Sequence, residues 1–448
     1  MEKRLIDELI GVLGREYVLM DKDALLPYTR DYNPLSLSQE IGKLRITLPK
    51  LVVQPRDPSE VFRVLDIASR YRAKIRVYGG GSGVLQAYSP DADLILDLSR
   101  LDWIEWYDSE SNILYVGAGT YLIQVEEWLN ERGYTLGHYP QSIHVTSMGG
   151  AIATGSIGMY SSGYGGIEDL VVGIEFVSPR YGFIRYGPVV RGNMPLPLDK
   201  FLLNSEGRFG VITGVYLKVY KKPSITLKSV AKIQSFDDGV DILKRILDLR
   251  LQPHLIRLFD EYESSIYFHS DKAILIYGLH GYSETKDVIY NWKRMLDKIV
   301  NGEEMDEELY DQWVKSRYNY INYIHRLYRM GIIIDTMEFG VPWSKVKKFN
   351  EELRSRLLEN PGIVYISSHI SHIHDTGCGI YYTLGIDKEV IYNEYMNIWR
   401  EALEVAIENK CDISHHHGIG RIRHEALKKL YGENGSKLLE DLSRYLGM

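Results

Sequence analysis

Three consecutive histidines, His415, His416 and His417, stand in the run SHHHGIGR. An unperturbed imidazole titrates near pH ~6.5, so such a triplet is a candidate centre for proton transfer at neutral pH. In an extended segment alternate side chains face opposite ways, which predicts that His415 and His417 share no face with His416. At least one of the three is then expected to be structural, bonded to backbone. Upstream, His369, His372 and His374 form an HxxHxH cluster beside the run DTGCGIYY. His372 and His374 can share a strand face, and with the triplet they could bind a divalent metal such as zinc. Arg257 lies in the apolar, strand-like LIRLFD. A buried guanidinium needs an anion, supplied either by a substrate carboxylate or phosphate or by a structural pair with Asp260 or Glu261.

Two glycine-rich stretches are suited to a large ligand. The strand-like KIRVY runs directly into Gly79, Gly80, Gly81, Ser82 and Gly83, where successive amides can form a nest around a pyrophosphate. No helix follows, as a dinucleotide fingerprint requires, and no lysine follows, as a nucleoside-triphosphatase loop requires. Phosphate contact is the leading reading, with a tight turn without ligand as the alternative. The second stretch, Gly137 to Val172, interleaves glycines with Ser147, Thr154, Ser156, Ser161 and Ser162. Its apolar spacers Ile143, Val145, Met148, Ile152 and Ile157 argue for a buried ligand loop rather than a linker.

The elements that must position these residues follow from local pattern. Residues 4 to 19 read as an amphipathic helix, followed by an irregular polar segment to about Leu48. LVVQP is a short strand, and Pro58 to Tyr71 a helix with Asp57 as N-cap and Pro58 at its first position. LILDLSRL and ILYVGAGT read as paired strands, and Tyr121 to Arg132 as a helix. LVVGIEFV, FIRYG and the end of 202–220 read as strands. Lys221, Lys222 and Pro223 mark a boundary, beyond which helical stretches such as Asp238 to Gln252 alternate with strands such as AILIYGLHGY and GIIIDTMEF.

At 448 residues with 45% hydrophobic content, the chain is long enough for two cores. A net charge of −7 without a basic face speaks against nucleic acid as a partner. Cys378 and Cys411 are far apart in sequence and fit neither a disulfide framework nor a cysteine metal site, which suggests a reducing, cytoplasmic setting. No apolar run is long enough to span a bilayer, so membrane contact is expected to be peripheral only.

In order, YGGGSGV, the Gly137 to Val172 stretch and SEGRFGVIT (205–213) resemble the FAD-binding domain of vanillyl-alcohol-oxidase-type, or PCMH-type, flavoproteins. The resemblance implies an α+β protein with a two-subdomain FAD-binding domain at 1–223, its core at about 47–222. An α+β substrate or cap domain at 224–405 and a C-terminal segment at 406–448 returning to the flavin would complete it. FAD would place its pyrophosphate on Gly79 to Gly83 and its isoalloxazine along Pro140, Thr146, Ser147, Gly149, Gly150, Ser156 and Gly158. Its adenine end would lie near Glu206, Gly207 and Ile212. No histidine occupies the first glycine loop, so the FAD is expected to be non-covalent.

Two branches of that superfamily compete. GHYPQS, SMGG, YGGIEDLVV, IRLFD, GIYYTL and SHHHGIGR resemble alkyldihydroxyacetonephosphate synthase. That likeness implies exchange of an acyl for an alkyl group on acyl-dihydroxyacetone phosphate through a flavin adduct. Arg257 would hold the phosphate, while Tyr381 and His415 to His417 would handle protons. The substrate would be phosphorylated and lipid-like, and a homodimer is the default assembly. The family's phosphate-binding arginine falls here at Ile324, with Arg326 and Arg329 nearby. The alternative is an oxidoreductase acting on a small 2-hydroxy acid, as in FAD-dependent D-lactate and glycolate dehydrogenases. Their metal motif is broken here, Gly377 and Gly379 replacing its asparagine and second histidine, so no metal is expected. A flavin-binding protein without catalysis, its triplet vestigial, is the third reading.

Overall fold

The computed structural model describes residues 2–36, 46–193 and 195–446. Part of the expected irregular segment, 37–45, lies outside them. Among the described residues the first half forms three sheets, the smallest pairing Tyr134–Thr135 with Tyr220–Lys221. A four-stranded sheet has the order Val18–Leu19, Val52–Val53, Leu94–Asp97, Ile75–Tyr78, and a five-stranded sheet the order Ile104–Asp108, Ile113–Gly117, Val211–Lys218, Val171–Ser178, Gly182–Tyr186. A wholly antiparallel seven-stranded sheet follows, ordered Glu303–Glu304, Ile225–Ile233, Ala273–Gly281, Leu255–Phe259, Ile363–His374, Gly377–Asp387, Ile332–Pro342. Mixed helix and sheet content makes the fold α+β, as expected.

The Pro58–Tyr71 helix forms as its sequence dictates. The Asp57 carboxylate accepts from the Glu60 amide at 2.8 Å, Pro58 begins the first turn, and Arg72 ends it in a left-handed conformation. Its Val61, Val64, Leu65, Ile67 and Ala68 pack into the core of the first half, each large side chain contributing about 1.5–3 kcal/mol on burial.

Two expectations need correction. The N-terminal helix stops at Leu13, because Gly14 takes φ 92°, and Val18–Leu19 is instead an edge strand on Val52–Val53. LILDL does not pair with ILYVG. Leu94–Asp97 is buried at every position and runs parallel to both its neighbours, as a two-sided central strand does. Ile113–Gly117 instead pairs antiparallel with Ile104–Asp108 and Val211–Lys218 in the five-stranded sheet.

The C-terminal segment ties the halves together. Asp412 bridges to Gly340 on the large sheet, the Arg421 amide donates to the Leu85 carbonyl, and Ser178 donates to Leu446. Among the described residues, no helix is long and apolar enough to cross a membrane.

Candidate active site

Tyr381 is the centre of the site. Strand alternation sends Tyr382 into the core, fully buried, and leaves Tyr381 on the opposite face with His369 directly across the ladder. Their rings stack at 4.5 Å. A bulge between Ile370 and Ile373 puts His372 at φ 58° and re-aims its ring, so that Nε2 lies 2.8 Å from the Tyr381 hydroxyl. His372 Nδ1 lies 2.7 Å from Ser161 Oγ of the first half. On the far side of Tyr381, His416 Nε2 lies 2.9 Å from the same hydroxyl.

The histidine triplet does not alternate as a flat strand would. The amides of His415 and His417 both donate to the carboxylate of Glu338, the loop bends around it, and Gly418 turns away at φ 84°. The three rings therefore touch in sequence, with His415 Nδ1 3.0 Å from His416 Nδ1 and the His416 and His417 rings 4.4 Å apart. Glu338 sits opposite Tyr381 on the Ile332–Pro342 strand, fully buried, and accepts from Arg423 Nη1 at 2.7 Å. Burial opposes its ionisation, but Arg423 and the adjacent histidines hold its carboxyl well below the usual range. Burial first lowers His415 and His416 to about 3 and His417 to about 4, with Arg423 adding to the effect on His416 and His417. The triplet is thus neutral at pH 7, and Arg423 is the charge that balances Glu338. Each neutral imidazole offers one donor and one acceptor. Tyr381 is raised, chiefly by burial and then by Glu338, so it remains a phenol.

A cationic side faces the same tyrosine. Arg257 donates to Glu263 at 3.0 Å, correcting the expected partners Asp260 and Glu261. Asp260 is committed elsewhere: it caps the Glu261–Phe268 helix at Glu263 and accepts from Arg354 and Ser368. The helix then swings Glu263 back under Arg257. Glu263 also lies 2.7 Å from His369 Nδ1. Burial works against Glu263, yet His369 and Arg257 bring it to about 2, while burial lowers His369 to about 4. His369 is therefore neutral at pH 7, and Arg257 is the effective counter-charge. Arg257 Nε has no hydrogen-bond partner among the described residues. Arg317 lies beside it, both guanidinium groups about the Trp313 ring at 5.1 and 5.5 Å. Arg317 donates to the Tyr139 carbonyl and contacts Met159 Sδ, and among the described residues no carboxylate pairs with it. Ile324 is half-buried on the Tyr320–Arg329 helix, and Arg326 and Arg329 are exposed; Arg317 is the cation turned inward.

The glycine stretches form one cradle. A Cβ on Gly80 would lie 1.7 Å from the Val145 carbonyl oxygen, and one on Gly79 2.2 Å from Ser147 Oγ, so the Gly79 to Gly83 loop is pressed against residues 145–147. Among the described residues, the amides of Gly80, Gly81, Ser82 and Gly83 donate to no protein acceptor. Thr146 Oγ1 lies 3.0 Å from Ser82 Oγ and 2.7 Å from Ser142 Oγ. Ser147 caps the Met148–Thr154 helix, which carries Gly149 and Gly150. Buried His138 lies 3.1 Å from Ser156 Oγ and has no partner at Nδ1; Gly158 packs on the Tyr139 amide and Pro140 is buried beside them. Free amides, hydroxyls and an orphaned buried imidazole on a side-chain-free floor fit a pyrophosphate-bearing ring cofactor. At the expected adenine end, Glu206 instead accepts from the Ile419 and Gly420 amides, fastening the histidine loop to the first half. Gly207 lies by Val77 at φ 78°. Ile212 puts its side chain in the core and its backbone in the ladder with Phe176.

Glu338, His415 and His416 bring potential metal-ligand atoms within 4.8 Å of one another. Both oxygens of Glu338 are already engaged by two amides and Arg423, so the group carries no argument for a metal. His369 is held apart by Glu263, whereas His374 Nε2 reaches His415 Nε2 at 2.8 Å. Sequence reasoning missed Glu338, Glu263, Arg317 and Arg423, and it read Ser161 as a hydroxyl of the ligand loop without its His372 partner. For Glu338 there was a signal, an acid in the apolar strand MEFGV, since a charge buried there needs a partner.

Fold and cradle together define a flavoprotein of the PCMH type. Residues 49–184 match the family described as FAD binding domain, and residues 223–446 that described as FAD linked oxidases, C-terminal domain. The chain belongs to the FAD-linked oxidase family, is an enzyme of that family, and has FAD as its cofactor. It is 28% identical over 446 residues to an alkyldihydroxyacetonephosphate synthase of Caenorhabditis elegans, covering 89% of this chain and 74% of that one. With the glycolate oxidase subunit of Bacillus subtilis it shares 24% over 261 residues, 58% of this chain and 54% of that one. In fold it is similar to a solved alkyldihydroxyacetonephosphate synthase, with TM-score 0.81, 21% identity, and 99% and 84% of the two chains covered. For p-cresol methylhydroxylase with substrate bound the values are 0.79, 15%, 99% and 94%.

Proposed function

We propose that the protein carries out chemistry of the alkyldihydroxyacetonephosphate synthase kind, replacing the acyloxy group of a phosphorylated acyloxy ketone, which leaves as the fatty acid, by the alkoxy group of an alcohol. The observation that carries the reading is the pair of inward guanidinium groups, Arg257 and Arg317, set beside a neutral tyrosine–histidine cluster. Gly79 to Gly83 and the 138–158 floor would hold FAD, which would supply an electrophilic ring able to hold or accept an electron pair. Arg317, without a carboxylate of its own, binds the substrate anion, and Arg257 steadies it while keeping Glu263. Tyr381, poised between His372 and His416, takes the proton released beside the anion and passes it to a neutral imidazole. His417 and Glu338 hold the loop in place rather than react.

A second reading has its own support. Arg257, Arg317 and Glu263 sum to a single positive charge, which suits a mono-carboxylate, and the glycolate oxidase subunit is among the relatives. Arg257 and Arg317 then clamp the carboxylate of a 2-hydroxy acid, and His416 or His372 receives its hydroxyl proton. Anaerobic mixing separates the two. The synthase reading expects alkyl ketone phosphate and free fatty acid from an acyl-dihydroxyacetone phosphate plus a long-chain alcohol. Rapid bleaching of the oxidised flavin by D-lactate or glycolate sinks it.

A further inference from the structure

We infer that His374 is the solvent port of a proton relay that ends at Tyr381. This rests on the proposal that Tyr381 exchanges protons with the substrate, and it assigns a positioning role to a residue outside that chemistry. From Ser161 an unbroken series of contacts runs through His372, Tyr381, His416 and His415 to His374, with spacings of 2.7, 2.8, 2.9, 3.0 and 2.8 Å. His374 is the one exposed member, at the end of the Ile363–His374 strand. Trp343 Nε1 donates to its carbonyl at 2.9 Å and fixes its backbone there. Room for the series comes from Gly379, where even a Cβ would crowd the His415 ring at 3.2 Å.

The chain of contacts has a consistent polarity. With Ser161 donating to His372 Nδ1, His372 Nε2–H donates to Tyr381, Tyr381 to His416 Nε2, His416 Nδ1–H to His415 Nδ1, and His415 Nε2–H to His374 Nε2. Each neutral imidazole then uses its single donor and single acceptor, and His374 Nδ1–H faces water. One proton entering at the Tyr381 oxygen drives one off at His374: each O–H or N–H bond broken is re-formed on the next group. No electron moves, Tyr381 ends as a phenol, and His416, His415 and His374 each end neutral in the opposite tautomer.

The experiment uses the FAD-loaded protein, purified without a histidine tag and labelled with 15N at histidine. Replacing His374 by Phe, or by Gln where Phe perturbs folding, removes the port. The relay predicts that N–H exchange of His415 and His416 with bulk water slows roughly tenfold or more. Free imidazole in the buffer restores it. Turnover falls in parallel and is rescued in the same way. Unchanged exchange in both variants overturns the relay, as does stoichiometric zinc or manganese that is lost with His374. A protein inactive toward acyl-dihydroxyacetone phosphate that still shows the exchange effect loses the proposed reaction and keeps the port.

Discussion

At Tyr381 a single oxygen lies within 3 Å of two imidazole nitrogens, both on neutral rings. Replacing it by Phe leaves the stacking on His369 intact but cuts the path between His372 and His416. Turnover is expected to fall by ~10²–10⁴, with the flavin absorbance spectrum unchanged. Arg317→Met is expected to raise KM for an anionic substrate at least ~tenfold while kcat moves less, because it removes a cation that no carboxylate among the described residues balances. Glu338 plays a different part. Glu338→Gln leaves Arg423 buried without its counter-charge, and such an uncompensated charge costs about 3–5 kcal/mol. Its thermal midpoint should drop well before any kinetic effect is read.

At the scale of elements, the Gly79 to Gly83 loop and the Met148–Thr154 helix form the cofactor floor by close contact of backbones. Gly80→Ala places a methyl where the Val145 carbonyl oxygen stands, so the loop must shift. The expected outcome is a folded protein that emerges from gel filtration without flavin; full retention of FAD would contradict the cradle. This scale also separates what sequence could and could not reveal. The Pro58–Tyr71 helix was legible in Asp57, Pro58 and its apolar spacing, because capping and periodicity are local. The partner of Leu94–Asp97 was not, since a strand buried on both faces carries no alternation to say which neighbours it has. The glycine stretches announced a cofactor through bare backbone. The partner of Arg257 depended on Asp260 being spent as a helix cap, a competition that only the folded chain decides. Likewise the clustering of the triplet rings depends on Glu338, 77 residues upstream of His415.

For the whole molecule, the buried histidines dictate a pH response. His138, His369 and His417 sit at about 4 and His415 and His416 at about 3, against an ordinary 6.5, in each case through burial first. Their folded pKa values lie below the unfolded ones. The unfolded chain therefore binds more protons between those limits, so stability is full above about pH 6.5 and declines as pH falls toward 4. Circular dichroism against denaturant at pH 7.5 and 5 should show a lower midpoint at pH 5; an unchanged midpoint would mean that these rings are not buried neutral. The flavin itself should separate from acid-precipitated protein entirely into the supernatant, because no covalent tether is expected.

The central claim, that paired guanidinium groups and a neutral tyrosine–histidine cluster serve the exchange of acyloxy for alkoxy on a phosphorylated ketone, meets its most direct test in one anaerobic reaction. The holoenzyme is mixed with an acyl-dihydroxyacetone phosphate and a long-chain alcohol, and products are read by mass spectrometry while the flavin spectrum is followed. Equal amounts of alkyl ketone phosphate and free fatty acid, with no net flavin reduction after turnover, are predicted. Absence of both products, together with prompt bleaching by D-lactate or glycolate, would contradict it.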